Sequence, residues 1–227
     1  MPDAVMLFAA GRGTRMAPLT DHLPKPLVEV AGRPLLDHAL ELVTAARIDH
    51  CVVNTHYRAV QIAEHLATRP EILISEEPEE RLETGGGLRA ALPLLGPGPV
   101  FTLNSDAVWS DPTALSQLRA TWDPTRMDAL LLLIPAEHAH GHRGAGDFTC
   151  AADGRLTRSG PLTYTGAQIL KPDGLADIPD RVFSLNLLWD QMAARGRLCG
   201  LVYSGHWADV GTPSGIEIAE TMLAAHQ

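Results

Sequence analysis

Short apolar runs and amphipathic stretches alternate along the first 135 residues. "AVMLF" (4–8) is a continuous apolar run bounded by a glycine-containing loop, the pattern of a buried strand. "RPLLDHALELVTAAR" (33–47) sets Leu35, Leu36, Ala39, Leu40 and Val43 on one helical face, with Pro34 near the first helical position. The pattern then predicts a strand over "HCVVNT" (50–55), a helix striped by Val60, Ala63 and Leu66, and a strand over "EILIS" (71–75). "VFTL" (100–103) and "DALLLLIP" (128–135) predict two more strands, with a short helix near 113–121 between them.

Past residue 135 the rhythm changes. "FTCAADGRLTR" (148–158) predicts a hairpin turning on Asp153-Gly154, and "TYTGAQIL" (163–170) a further strand. "SLNLLWDQMAARG" (184–196) places Leu185, Leu188, Trp189 and Met192 on one helical face, with Gly196 as its stop. A strand over "LCGLVYS" (198–204) precedes a last helix capped by Thr212 and opened by Pro213, with Ile216, Ala219 and Leu223 turned inward. Strands alternating with helices imply right-handed βαβ units. The fold class is therefore α/β, Rossmann-like, with a mixed and mostly parallel central sheet flanked by helices. The reading is one domain over 1–227, divided into a first part of about 1–135 and an insert with closing elements of about 136–227. In open sheets of this kind ligands bind beyond the carboxyl ends of the strands, so the residues just past those ends carry the chemistry.

Composition narrows the partners. A formal net charge of −9 argues against a general nucleic-acid binder, which would show a basic stripe, though local cations can still hold a small anion. The three cysteines, Cys51, Cys150 and Cys199, lack metal-ligand spacing and read as reduced thiols of a cytoplasmic protein. No basic segment precedes an apolar leader, and the longest apolar run is too short for a bilayer, so no membrane partner is expected. Nothing in the sequence sets the oligomeric state. Of the 18 basic residues only Lys25 and Lys171 are lysines, so each lysine raises a question.

Five features supply candidate chemistry. After the first strand, "AAGRGTRM" offers glycines whose amides can surround a phosphate, with Arg12 and Arg15 as forked donors, but G-x-G alone is equally a tight turn. It does not complete a dinucleotide fingerprint, because residue 16 is Met. Lys25 stands between Pro24 and Pro26, which predicts a stiff, extended segment presenting a compact charge; a solvated surface lysine is the other reading. Asp106 and Asp209 each follow an apolar run, and two strand-end carboxylates facing a phosphate loop suit Mg²⁺. "ETGGGL" (83–88) predicts a second glycine turn, against which a flat base or sugar could lie. His138, His140 and His142 alternate, but the glycines around them predict a polar loop over substrate rather than a zinc site.

Together these stretches resemble the sugar-1-phosphate nucleotidyltransferase family. "LFAAGRGTRMAPLTDHLPKPLVEVAGRPLLDH" (7–38) is similar to its N-terminal motif, "LNSD" to its acidic motif and "WADVGT" to its late aspartate motif. "LETGGGL", "GAGDF" and "GHWADVGT" resemble the small uridylyltransferases of cell-wall recycling, which act on N-acetylmuramic acid 1-phosphate. The resemblance implies that an NTP, here UTP, and a sugar 1-phosphate give an NDP-sugar and pyrophosphate with Mg²⁺ as cofactor. A mannose- or glucose-1-phosphate enzyme, a phosphocholine cytidylyltransferase, or a nucleotide-sugar-binding protein without turnover are the alternatives.

The resemblance also implies roles. Gly11, Arg12 and Gly13 would cradle phosphates, Arg15 would neutralise pyrophosphate, and Lys25 would grip the reacting groups. Asp106 and Asp209 would hold the metal. Ala9, Ala10, Thr84 and Gly85 would line base and ribose, while Asn104, Gly146, Asp147, Thr165 and Gly166 would lie near the sugar. Two departures stand out: Ser105 replaces the family's usual glycine, and the usual base-reading Gln is missing, leaving Glu76, Glu77, Glu79 or Glu80 as substitutes.

Overall fold

The structure is a computed structural model describing residues 2–226. Its strands are β1 (Ala4–Phe8), β2 (Glu29–Val30), β3 (Arg33–Pro34), β4 (His50–Thr55), β5 (Ile72–Glu76), β6 (Val100–Asn104) and β7 (Ala107–Trp109). There follow β8 (Ala129–Pro135), β9 (Ala139–His140), β10 (Phe148–Cys150), β11 (Leu156–Arg158), β12 (Leu162–Leu170), β13 (Leu198–Val202) and β14 (Trp207–Asp209). The helices are α1 (Leu35–Ala45), α2 (Ala59–Leu66), α3 (Glu83–Leu95), α4 (Ala114–Thr121), α5 (Asn186–Ala194) and α6 (Pro213–Ala225).

The main sheet runs β5-β4-β1-β6-β12, and β8 extends it from β12 to β13. Neighbours among β5, β4, β1 and β6 are parallel, as are β8 and β13, whereas β12 is antiparallel to both β6 and β8. Period-two alternation explains the continuous apolar runs. Val5 and Leu7 of β1 face one core with Leu130, Leu132 and Ile134 of β8, while Ala4 and Met6 face the opposite core with Leu131 and Leu133. Helices α1 and α4 cover the first face and α3 and α5 the second. Each fully buried Leu or Met contributes about 1.5–3 kcal/mol, so the sheet is held from both sides.

A third, smaller core fixes the functional end. Met16, Val28, Val30 and Leu35 pack there against Val108, Ala208 and Val210, with Ala219 and Met222 of α6 closing it. It clamps the N-terminal loop onto a separate three-stranded sheet of order β7-β14-β9.

The structure revises several local expectations. α1 begins at Leu35 with Pro34 as its N-cap, because Pro34 is extended at φ −55°, ψ 142° and pairs with β2. In α2 the buried pair is Ile62 and Leu66, one turn apart, and Val60 is 69% exposed. The three glycines of "ETGGGL" lie inside the first turns of α3, not in a turn before it. Lys25 opens a 3₁₀ turn over Lys25–Leu27 instead of lying in an extended segment.

Candidate functional site

Strand β1 is flanked by β4 on one side and β6 on the other, so the chain order reverses between β1 and β6. Such a switch point opens a crevice at the carboxyl ends of the strands. A cavity of about 160 Å³ lies there, lined by Phe8 to Gly11 after β1, Asn104 to Asp106 after β6, and Lys25. Thr84 closes its far wall. Asn54, at the end of β4, accepts a hydrogen bond from the Ala9 amide at 2.8 Å and so fixes the start of the glycine loop.

Lys25 is buried, and its Nζ donates to Asp106 Oδ2 at 2.9 Å. Gly13 makes this approach possible. It sits at φ +65°, and a Cβ there would lie 2.7 Å from Lys25 Cβ. Asp209 reaches the same place from β14, whose register pairs Asp209 with Ala107 beside Asp106, and the Val210 amide donates to the Asp106 carbonyl at 3.0 Å. Burial raises the Asp209 carboxyl above the ordinary aspartate range, and the neighbouring Asp106 charge raises it further. Lys25, Arg15 and His142 oppose that shift. Arg15 Nη2 and both Asp209 oxygens converge on Gly211, each within 3.2–3.3 Å of where a Cβ would stand. Two carboxylates that repel each other, with one driven toward protonation, are a donor set completed by a hard dication, so Asp106 and Asp209 fit Mg²⁺.

The remaining expected site residues divide. Arg12 stacks over Tyr57 at 5.4 Å, at the loop's outer edge. Gly85 does not face a ligand: a Cβ there would meet the Phe183 ring at 2.4 Å, and its amide donates to the Phe183 carbonyl at 2.9 Å. Gly86 and Gly87 are equally packed, against the Arg181 carbonyl at 2.4 Å and Glu77 Oε1 at 2.7 Å. All three glycines therefore serve helix clearance, and the expected flat surface is absent.

A second cavity, of about 270 Å³, adjoins the first through Phe8, Thr84 and Asn104. Asn104 and Asp147 line it as expected. Thr165 does not, since it is 1% exposed and its hydroxyl donates to the Leu132 carbonyl at 2.8 Å. Gly166, at φ +87°, lets the Asn104 side chain pass, because a Cβ would sit 2.8 Å from Asn104 Cγ. Gly146, at φ +95°, is a turn residue against Gly160 and Pro161. These two glycines act on the cavity only through Asn104 and Asp147.

Ser105 does not crowd the cleft. Its hydroxyl donates to the Phe8 carbonyl at 2.7 Å and ties β6 to β1. None of the four glutamates offered as base readers lines it. Glu77 is buried, accepting from Asn54 Nδ2 at 2.6 Å and the Leu82 amide at 2.8 Å, and Glu79 and Glu80 pair with Arg181. Glu76 ends β5 on the surface. Arg81 and Glu83, paired with each other, occupy the wall in their place, with Glu83 at φ +60°. Their place next to Thr84 was the available signal. His138 and His140 stack with His206, whose ring also meets His226 at 4.0 Å, so that cluster lies outside both cavities. Lys171, the other lysine, pairs with Asp128 at 3.0 Å.

Comparison with known proteins accounts for this arrangement. The description "MobA-like NTP transferase domain" matches residues 5–158. An N-acetylmuramate alpha-1-phosphate uridylyltransferase of Caulobacter vibrioides is 45% identical, with 98% of each chain covered. One of Neisseria meningitidis is 34% identical over 97% of this chain and 98% of that protein. In fold, the chain is similar to the inositol-1-phosphate CTP transferase of T. maritima, with a TM-score of 0.80 over 97% and 96% of the two chains at 12% identity. With the strand-end cleft, the buried lysine and the family match all in agreement, the chain belongs to the MobA-like NTP transferase family of nucleotidyltransferases.

Proposed function

We propose that the protein transfers a uridylyl group from UTP to N-acetylmuramate 1-phosphate, giving UDP-N-acetylmuramate and pyrophosphate, as a step of peptidoglycan recycling. The observation that carries this reading is Lys25, buried against Asp106 in a cleft that opens directly into a second, sugar-sized cavity. The identities of 45% and 34% to two uridylyltransferases with that substrate support the choice of UTP and sugar. UTP is an intracellular metabolite, so the reading assigns the enzyme to the cytoplasm.

An oxygen of the sugar phosphate attacks the α-phosphorus in line with the departing pyrophosphate. That oxygen is already anionic near neutral pH, so this chain needs no general base or covalent nucleophile. Its task is to hold two repelling anions in register and stabilise the charge that builds between them. Amides of Gly11 to Gly13 receive phosphate oxygens, Lys25 binds the reacting phosphates, and Arg15 neutralises the pyrophosphate. Asp106 and Asp209 would hold Mg²⁺, which when bound supplies neutralisation of phosphate charge. Ala9, Ala10 and Thr84 line the nucleoside, with Arg81 and Glu83 facing the base. The first part of the chain, to about residue 135, thus serves the nucleotide, and the rest serves the sugar and supplies Asp209.

A protein that binds the nucleotide sugar without turnover would need the Ser105 departure to displace Asp106, but the Ser105 hydroxyl is taken up by β1 and Asp106 keeps its place on Lys25. The test is pyrophosphate release from purified protein with Mg²⁺, UTP and N-acetylmuramate 1-phosphate, set beside other NTPs and sugar phosphates. Fastest release with that pair is expected. Faster release with another pair replaces the substrate, and no release with any pair overturns the enzyme reading.

A further inference from the structure

The muramate sugar differs from its parent amino sugar by a lactyl ether at O3, which ends in a carboxylate. A pocket that selects it must supply a cation at some distance from the phosphates. Arg158, at the end of β11, is the only lysine or arginine among the described residues lining the second cavity. Its guanidinium is held rather than free. It stacks on Phe148 at 5.1 Å and Trp189 at 5.3 Å, and its Nε and Nη2 both donate to Asp190 Oδ1, at 3.1 and 2.8 Å. Nη2 also donates to the Asn186 carbonyl at 3.3 Å. Among the described residues Nη1 has no hydrogen-bond partner, so a donor is left over on a cation whose orientation is already fixed.

The surroundings suit a carboxylate. Ser184 and Asn186, at the N-terminus of α5, line the same wall, and the Ser184 hydroxyl oxygen accepts from the Asn186 amide at 3.2 Å and from its side chain at 3.0 Å. That leaves the Ser184 hydroxyl proton to donate elsewhere, and the helix end adds partial positive charge. Asp147, the carboxylate of this cavity, accepts the Tyr164 amide at 2.9 Å and suits an N–H or hydroxyl of the sugar ring.

We infer that Arg158 pairs with the lactyl carboxylate of N-acetylmuramate 1-phosphate and makes the protein prefer that sugar to one with a free 3-hydroxyl. The inference rests on the function proposed above and names the residue that would give it its sugar preference. Preorganised by two rings and Asp190, the arginine loses little freedom on binding, while the neutral hydroxyl of N-acetylglucosamine 1-phosphate gains nothing from it.

The experiment compares three sugar phosphates with UTP in steady-state pyrophosphate release: the muramate, its methyl ester, which keeps the shape without the charge, and N-acetylglucosamine 1-phosphate. The wild type should favour the acid over the ester by roughly 10- to 100-fold in kcat/KM, carried by KM, the range of one charge-assisted hydrogen bond. Arg158→Gln should bring the acid-to-ester ratio down to about one while the ester-to-glucosamine ratio stays at its wild-type value, and Arg158→Lys should restore part of the preference. A wild type blind to the ester overturns the inference without any variant. Preserved preference in Arg158→Gln, or equal loss on all three sugars, overturns it as well, the latter by making Arg158 a pin between β11 and α5. A wild type faster on the glucosamine phosphate than on the muramate overturns the substrate reading itself, and the inference with it.

Discussion

The two cavities meet at Asn104, yet they are built in opposite ways. The first cavity draws on residues at the ends of parallel strands: Ala9 to Gly11 just past β1 and Asn104 to Asp106 at the end of β6. The second cavity is made of hairpin β10–β11, the bent strand β12 and the start of α5, with long stretches of chain between its residues. In the first, charge concentrates where the strand geometry delivers it. In the second, Asn104 and Asp147 line the wall as the resemblance implies, whereas Gly146, Thr165 and Gly166 are structural and Arg158 joins the lining without a motif to mark it. A continuous motif marks a site reliably where local backbone geometry makes the site.

The largest expected break in this contrast lies in the charge cluster. Lys25→Ala, Asp106→Ala and Asp209→Ala should each lower kcat by ~10²- to 10³-fold with the fold intact by circular dichroism. Near-wild-type turnover would remove the residue concerned from the site. Asp209→Asn separates charge from packing. Its carboxyl is raised in the folded protein, so the ionised form penalises folding; the penalty is full above the folded pKa and vanishes below the unfolded value. Without divalent ions Asp209→Asn should therefore melt higher than wild type at neutral pH, with the advantage lost in acid. Added Mg²⁺ should stabilise the wild type and not the variant.

Next in size is Gly86→Ala in α3. A methyl 2.4 Å from a backbone carbonyl forces the helix to shift, at a cost of about 1–3 kcal/mol in denaturant unfolding. A neutral result would return these glycines to a ligand-facing role. Thr165→Val should cost about 1 kcal/mol of stability, because the Leu132 carbonyl loses a donor, while KM for the sugar phosphate stays put. A raised KM would put Thr165 back in the sugar site. The smallest effect belongs to Ser105→Gly, which frees the Phe8 carbonyl: about 1 kcal/mol or less in stability, with turnover kept. A marked gain in turnover would show that Ser105 hinders catalysis.

Much of this was legible in the chain. Strands β1, β4, β5, β6 and β8 fall within a residue or so of the apolar runs that predict them, because strands buried on both faces require near-continuous apolar sequence. The register of α2 was not, since Val60 and Ile62 are equally apolar and only the sheet beneath selects Ile62. Lys25 was singled out by two prolines, but its difference from Lys171 lies in partners 81 and 43 residues away.

The sequence by itself determined the alternation of strands and helices, the glycine loop after β1, and the acidic residues at strand ends. All of these follow from periodicity and backbone freedom, which act over a few residues. Tertiary structure alone decided that β14 pairs with β7 and brings Asp209 beside Asp106, that three glycines are spent on Phe183, Arg181 and Glu77, and that Arg158 lines the second cavity. Those outcomes depend on contacts between segments distant in the chain, and no local pattern encodes which distant surface a side chain will meet.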